Sequence, residues 1–261
     1  MTAALEARTV RPQLARDTWN VLLRELKPMV RDPFSLIFSL LQPLVFLGLF
    51  GPLLVAQSGQ DLATTLAWFV PGVLVMIVLF GTGATGSNLQ YEMMTGSHER
   101  TLVAPLSRPA LLIGRALKEV APIVVQALVI VGIAMIFGFR AHPLGLLAGL
   151  GLLAVFGIGL GALSYSLALA TKEHEWLFWG VQQSLIFPLL ILSGVLLPLD
   201  GGPGWMRAVA SFNPVSHVVE AQRALLGGSF GSSEVLWGWL AALLVALVGL
   251  AVGVRAIRKS S

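Results

Sequence analysis

Uninterrupted apolar runs recur along this chain, and they restrict its fold more than any motif does. A helix needs about 20 apolar residues to cross the hydrocarbon core of a bilayer. Inside that core every backbone N–H and C=O must be satisfied by the protein itself, which leaves helices and closed barrels as the options. The runs are continuous and do not alternate with polar residues, so a barrel fits poorly. Composition points the same way: 56% of the 261 residues are hydrophobic, 11% are charged, and the mean hydropathy is +0.83. A water-facing surface does not tolerate that balance. The expected fold is an all-α integral membrane protein with six transmembrane helices, at Phe34–Val55, Leu66–Ser87, Val120–Phe139, Leu144–Ala170, Trp176–Leu197 and Val235–Val254. Pro43 and Pro188 are places where two of these spans can bend.

The segment before the first span reads differently. Leu14, Trp19, Leu22, Leu23, Leu26 and Val30 recur at three- and four-residue spacing, while Arg11, Arg16, Arg24 and Lys27 take other faces. That pattern predicts an amphipathic helix lying in the membrane interface, with Trp19 at headgroup depth. Asp32-Pro33 ends it, because the residue before a proline is pushed out of the helical region and the proline suits a new first turn. The expected division is thus residues 1–33 as tail and interface helix, and 34–261 as one six-span membrane domain.

Between the second and third runs lies a polar island, residues 90–119, which concentrates Glu92, Glu99, Arg100, Arg108, Arg115, Lys118 and Glu119 in an otherwise charge-poor chain. Fourteen of the seventeen Lys and Arg fall in the segment up to Arg31, this island, Lys172, or the tail from Arg255. Arg140, Arg207 and Arg223 are on the opposite side. The positive-inside rule then places both termini, the island and the Thr171–Glu175 loop in the cytoplasm. The glycines of the spans, Gly145/Gly149 and Gly157/Gly161 among them, form small-xxx-small pairs suited to close helix contact.

The external segment, about residues 198–234, is too apolar for a solvated loop and too broken for a span. Pro198 opens it, and after Trp205 a short helical stretch is expected over Met206–Phe212. Asn213-Pro214 supplies an N-cap and a first-turn proline for a second, on which Glu220 and Arg223 stand three residues apart. A re-entrant helical hairpin fits this pattern, provided neighbouring protein covers its backbone.

Taken together, these segments resemble the permease subunit of ABC-2 type ABC transporters, in the branch of the daunorubicin/doxorubicin-resistance exporters. Two stretches carry the resemblance. One is Gly96-Ser-His-Glu-Arg-Thr-Leu-Val-Ala-Pro105-Leu-Ser-Arg108 followed by Leu111-Leu-Ile-Gly114-Arg115. The other comprises Ser193-Gly194, Pro198, Pro203-Gly-Trp205, Asn213-Pro214 and Glu220-Ala-Gln-Arg223. The resemblance covers nearly the whole chain. It implies an ATP-driven exporter, in a bacterial inner membrane, in which two copies of this permease pair with two ATP-binding subunits. ATP and magnesium would sit on the partner, with no cofactor on this chain. The resemblance further implies that a coupling helix near Ser97–Ala104 docks on the ATPase. Gly96, Glu99, Arg100, Thr101, Leu102 and Pro105 would form this contact, and Trp19, Arg24 and Glu25 of the interface helix a second one. The implied cargo is a hydrophobic or amphiphilic small molecule, drug or lipid-like, with a glycoconjugate or polysaccharide as the alternative.

The residues agree with a borrowed energy source. No G-x-x-x-x-G-K-[ST] stretch occurs, so the chain lacks the phosphate cradle of that kind. The four histidines fall in different loops, and none has the i, i+4 partner of a helical metal site. Catalysis is not expected. An ion-coupled carrier would need ionisable groups within the membrane, and the six runs contain almost none. A purely structural membrane subunit would not need a segment that looks built for coupling.

Overall fold

The computed structural model describes residues 14–31, 33–96, 108–172, 174–199 and 201–259. Among these the chain forms eleven helices: α1 (Leu14–Arg31), α2 (Pro33–Ser58), α3 (Leu62–Gly81), α4 (Gly83–Met94), α5 (Arg108–Lys118), α6 (Val120–Ile136), α7 (Pro143–Ala170), α8 (Glu175–Ile191), α9 (Gly204–Ala210), α10 (Pro214–Leu226) and α11 (Ser233–Lys259). Five helical stretches are long and apolar enough to cross a membrane: Ile37–Ser58, Leu62–Met94, Ala110–Ile136, Pro143–Ala170 and Ser233–Arg258.

The amphipathic helix is present as α1, and it stops at Arg31, one residue short of the Asp32-Pro33 break. Val21 turns inward onto α5, where Gly114 leaves room for it, while Trp19 is 58% exposed. At the centre stands α3. Phe69, Val70, Val73, Leu74 and Val75 are all but completely buried, because α2, α6, α7, α8 and α10 surround the helix. By contrast α2 shows Phe34, Ile37, Phe38, Leu41 and Leu49 on its outer face, as a helix facing lipid or another subunit would.

The tightest pairing is between α7 and α11. A methyl group at Gly159 would come within 2.6 Å of the Ala246 backbone nitrogen, and Gly249 sits against the Gly159 backbone in turn. Only glycine allows that approach. The expected Gly145 and Gly149 contacts are made with α10, and Gly157 meets Ile123 of α6.

Two expectations need correction. The fifth span was expected to run to Leu197, but α8 is 17 residues long and ends at Ile191. At 1.5 Å per residue it reaches about 25 Å, short of the ~30 Å hydrocarbon core. The chain turns there because Ser193 Oγ donates to the Leu190 carbonyl at 2.6 Å and Gly194 adopts φ +71°. The second span was expected to end at Ser87 and the third to begin at Val120. Instead helix continues through Met94 on one side and resumes at Arg108 on the other, so that Glu92, Arg115, Lys118 and Glu119 are carried into the packed structure. Opposite charges on neighbouring helices make that possible, because each neutralises the other where water is absent.

Candidate functional site

At the island end of the bundle, α2, α3, α4, α6 and α8 diverge and leave a cleft of about 750 Å³. Its apolar floor is Met76, Ile77 and Phe80 of α3 with Ile123 of α6. Aromatic rings stand at its sides: Tyr91 on α4 and Trp179 on α8. The remaining wall is polar, formed by Ser39 and Gln42 of α2, Ser87 and Asn88 of α4, and Gln126 of α6. Gln126 donates through Nε2 to Ser39 Oγ at 2.8 Å, which ties α6 to α2 across the cleft wall. A polar side chain in the middle of an apolar span is costly without such a partner.

Carboxylates ring the island end of this cleft. Glu25 of α1, Glu92 of α4 and Glu119, between α5 and α6, all line it, together with Lys118. Directly behind the wall is Arg115, whose side chain is only 5% exposed. Its Nη2 donates to Glu92, its Nε lies 3.4 Å from Glu25 Oε1, and its Nη1 is 3.4 Å from the Tyr165 hydroxyl of α7. One guanidinium thus joins α1, α4, α5 and α7. Lys118 Nζ lies 3.4 Å from Glu119 Oε1, in a second buried pair. Nearby, Gln90 Nε2 donates to Thr171 Oγ1 at 3.2 Å and Ser164 Oγ to Gln182 Oε1 at 3.4 Å, so α4, α7 and α8 are also joined by polar contacts.

The opposite end is built around the hairpin. Asn213 caps α10 by accepting from Val215 N at 3.0 Å, and its Nδ2 donates to the Leu189 carbonyl of α8 at 2.8 Å. Arg223 pairs with Glu220 at 2.6 Å and donates to the backbone carbonyls of Trp68, at 3.1 Å, and Gly194, at 2.8 Å. Its guanidinium also lies 4.3 Å from the centre of the Trp68 ring. Burial draws the Arg223 guanidinium below its usual range, and Glu220 opposes that shift. The two short helices expected in this segment are α9 and α10, and the Glu220–Arg223 pair forms. Trp205 is exposed, and so is Pro198.

The sites expected from the sequence are placed as follows. Gly96 follows α4 with φ +66°. Glu99, Arg100, Thr101, Leu102 and Pro105 lie outside the described residues. Trp19 and Arg24 are on the outer side of α1, whereas Glu25 turns inward to Arg115 and the cleft. The cleft itself was not anticipated. Its signal in the sequence was a set of single polar residues set in apolar runs, Ser39, Gln42 and Gln126, together with Glu92, Lys118 and Glu119 at the two ends of the island.

The family model for ABC-2 type transporters matches residues 16–227. The chain is 30% identical over 230 residues to the daunorubicin resistance ABC transporter permease protein DrrB1 of Streptomyces coeruleorubidus, covering 87% of this chain and 81% of that one. It is 30% identical over 193 residues to the probable doxorubicin resistance ABC transporter permease protein DrrC of Mycobacterium tuberculosis, covering 70% of this chain and 69% of that one. It is 32% identical over 204 residues to the putative transport permease ycf38 of Cyanophora paradoxa, covering 76% and 70%. A helical multi-span architecture, an unbroken family match over most of its length and permeases as relatives lead to one conclusion: this multi-pass membrane protein belongs to the ABC-2 type transporter family and is a transport subunit, not an enzyme, working with an ATP-binding partner.

Proposed function

We propose that this chain exports a hydrophobic or amphiphilic small molecule, taking it from the cytoplasm or inner leaflet and releasing it on the hairpin side. The observation that carries this reading is the cleft of about 750 Å³ at the island end, apolar on its floor and polar on one wall. That size and balance suit a molecule of drug dimensions. The relatives named for daunorubicin and doxorubicin resistance favour the same cargo class.

In this reading two copies of the chain pair with two ATP-binding subunits in a bacterial inner membrane, with α8 and the turn after it completing a sixth crossing. Both termini and the island face the cytoplasm. ATP and magnesium belong to the partner, whose closure pushes on the coupling segment near residues 97–104, centred on Glu99 and Arg100, with Gly96, Thr101, Leu102 and Pro105 shaping the contact and the Trp19–Arg24 face of α1 adding to it. Arg115 would take that push from α1 through Glu25 and pass it through Glu92 to α4, tilting that wall of the cleft, while its contact with Tyr165 braces it on α7. The exposed outer face of α2 suits the second permease copy, and Pro198, Trp205, Asn213 and Pro214 shape the exit.

The test is purification in mild detergent followed by reconstitution. A co-purifying subunit with a Walker A sequence, and ATP-dependent movement of a lipophilic dye in liposomes, are expected; Glu99→Ala with Arg100→Ala should stop movement while leaving insertion intact. Transport without ATP, or by the chain alone, would overturn the reading.

A further inference from the structure

The two ends of α8 are held in different ways. At the hairpin end, the carbonyls of its last turn and of the turn that follows have no donors in their own helix, and α10 supplies them. Asn213 Nδ2 donates to the Leu189 carbonyl at 2.8 Å, Ser216 Oγ to the Leu192 carbonyl at 3.1 Å, and Arg223 Nη2 to the Gly194 carbonyl at 2.8 Å. Asn213 also caps α10 through Val215 N, so one side chain joins the end of one helix to the start of the other. Just past this turn Val195 is fully buried and packs against α3 at Gly72.

At the island end α8 is seated by shape. His174, its N-cap, gives no side-chain hydrogen bond, and Phe178, Gln182, Ile186 and Leu190 form a single inward strip at every fourth residue. Phe178 and Gln182 rest in a notch left by Gly86 and Gly83 of α4, where a methyl group at Gly86 would come within 2.5 Å of the Phe178 ring. The bond from Ser164 Oγ to Gln182 is long, at 3.4 Å. A ring can leave a glycine notch without stranding a polar group, whereas buried carbonyls cannot lose their donors without cost. Between the two ends stands Pro188, which has no N–H to give the Ser184 carbonyl one turn earlier, so the helix bends most easily there. Trp179, packed on Phe178, lines the cleft, and a bend at Pro188 carries that wall with it.

We infer that α8 is the moving wall of the cleft: its island half swings out of the α4 notch about Pro188, while Asn213 and Ser216 act as positioning residues that keep its outer end locked to the hairpin. This rests on the exporter reading and adds to it the wall that yields. A tilt of α4, received through Glu92, opens the notch and releases Phe178 and with it Trp179.

The chain has no cysteine, so introduced thiols are unique to their sites. The complete complex with its ATP-binding partner is reconstituted in liposomes, and ATP-driven movement of Nile red is followed before and after two thiols are bridged by a short bis-methanethiosulfonate, and again after reduction. Leu192→Cys with Ser216→Cys bridges α8 to the hairpin, and Gly83→Cys with Gln182→Cys bridges α8 to α4, the shorter side chain at position 182 vacating the space needed at position 83. The hairpin bridge should leave movement unchanged, and the notch bridge should abolish it until reduced. Asn213→Ala should slow movement, and adding the hairpin bridge should restore part of it, a rescue that a merely misfolded variant would not show. A hairpin bridge that stops movement, a notch bridge that does not, or an Asn213→Ala loss that the bridge leaves untouched overturns the inference with the exporter reading still standing. No movement by the unmodified complex overturns both. If a bridged pair does not assemble, nitroxide labels at exposed sites decide, with labelled chains diluted in unlabelled ones. On adding ATP and vanadate, Ile191→Cys with Phe212→Cys should keep its distance and Met94→Cys with Trp176→Cys should lengthen; any other pattern overturns the inference.

Discussion

Arg115 and Arg223 fasten opposite ends of the same bundle, and they do it with different chemistry. Arg115 is held by charge: Glu25 and Glu92 flank it, and Tyr165 takes a further N–H. Arg223 is held mainly by neutral groups, the carbonyls of Trp68 and Gly194 and the face of the Trp68 ring, with Glu220 half exposed beside it. A buried cation surrounded by acids cannot be removed without stranding those acids. A cation that donates to backbone carbonyls leaves behind groups that helix partners or water can satisfy again. The island end therefore depends on its arginine for integrity, and the hairpin end uses its arginine as a fastening.

The largest effect should come from Arg115→Met. With Glu92 stranded and Glu25 left only the half-exposed Arg24 as a partner, a loss of about 3–5 kcal/mol is expected, read as a large drop in the thermal midpoint in detergent or as loss of folded protein. Adding Glu25→Gln and Glu92→Gln to that variant should restore most of the midpoint. A triple variant no better than the single one would show that the stranded acids are not the cause. Arg223→Ala should cost less, about 2 kcal/mol, the scale of hydrogen bonds made by a charged group, and Arg223→Lys should recover part of it because charge is kept while the forked geometry is lost. Trp68→Leu, which keeps the backbone carbonyl and removes the ring face, should cost roughly 1 kcal/mol through the lost cation–π contact, more in an Arg223 background than in Arg223→Ala. Smallest of all is Glu220→Gln, below about 1 kcal/mol, and its effect should fade as salt is raised.

The same two ends differ in how far they could be read from the chain. At the hairpin, Asn213-Pro214 announces a helix start by local rules, and Glu220 and Arg223 are one turn apart, so the pairing lies within a single element. Local chemistry is legible in a sequence. At the island, the partners of Arg115 are 23 and 90 positions away, at Glu92 and Glu25, and only the folded bundle brings them together. A run containing those charges looks soluble by itself, which is why the helices there extend past the bounds that hydropathy set. The end of α8 was hidden for a different reason. A glycine inside an apolar stretch can continue a helix or leave it through a left-handed turn, and Gly194 takes the second course with nothing nearby in sequence to distinguish it. The spans themselves were readable because lipid leaves the backbone so few alternatives.

The backbone contact between Gly159 and Gly249 has a mechanical consequence. Two helices separated by side chains can slip past each other as rotamers change, since the chains act as bearings. α7 and α11 have no such bearings where they cross; at that point peptide groups meet directly, and neither helix can roll without a steric collision. They form a single keel. Any tilting of this subunit during a transport cycle must pivot around that keel, so the freedom to open and close belongs to the helices on the other side of α3, where the cleft lies.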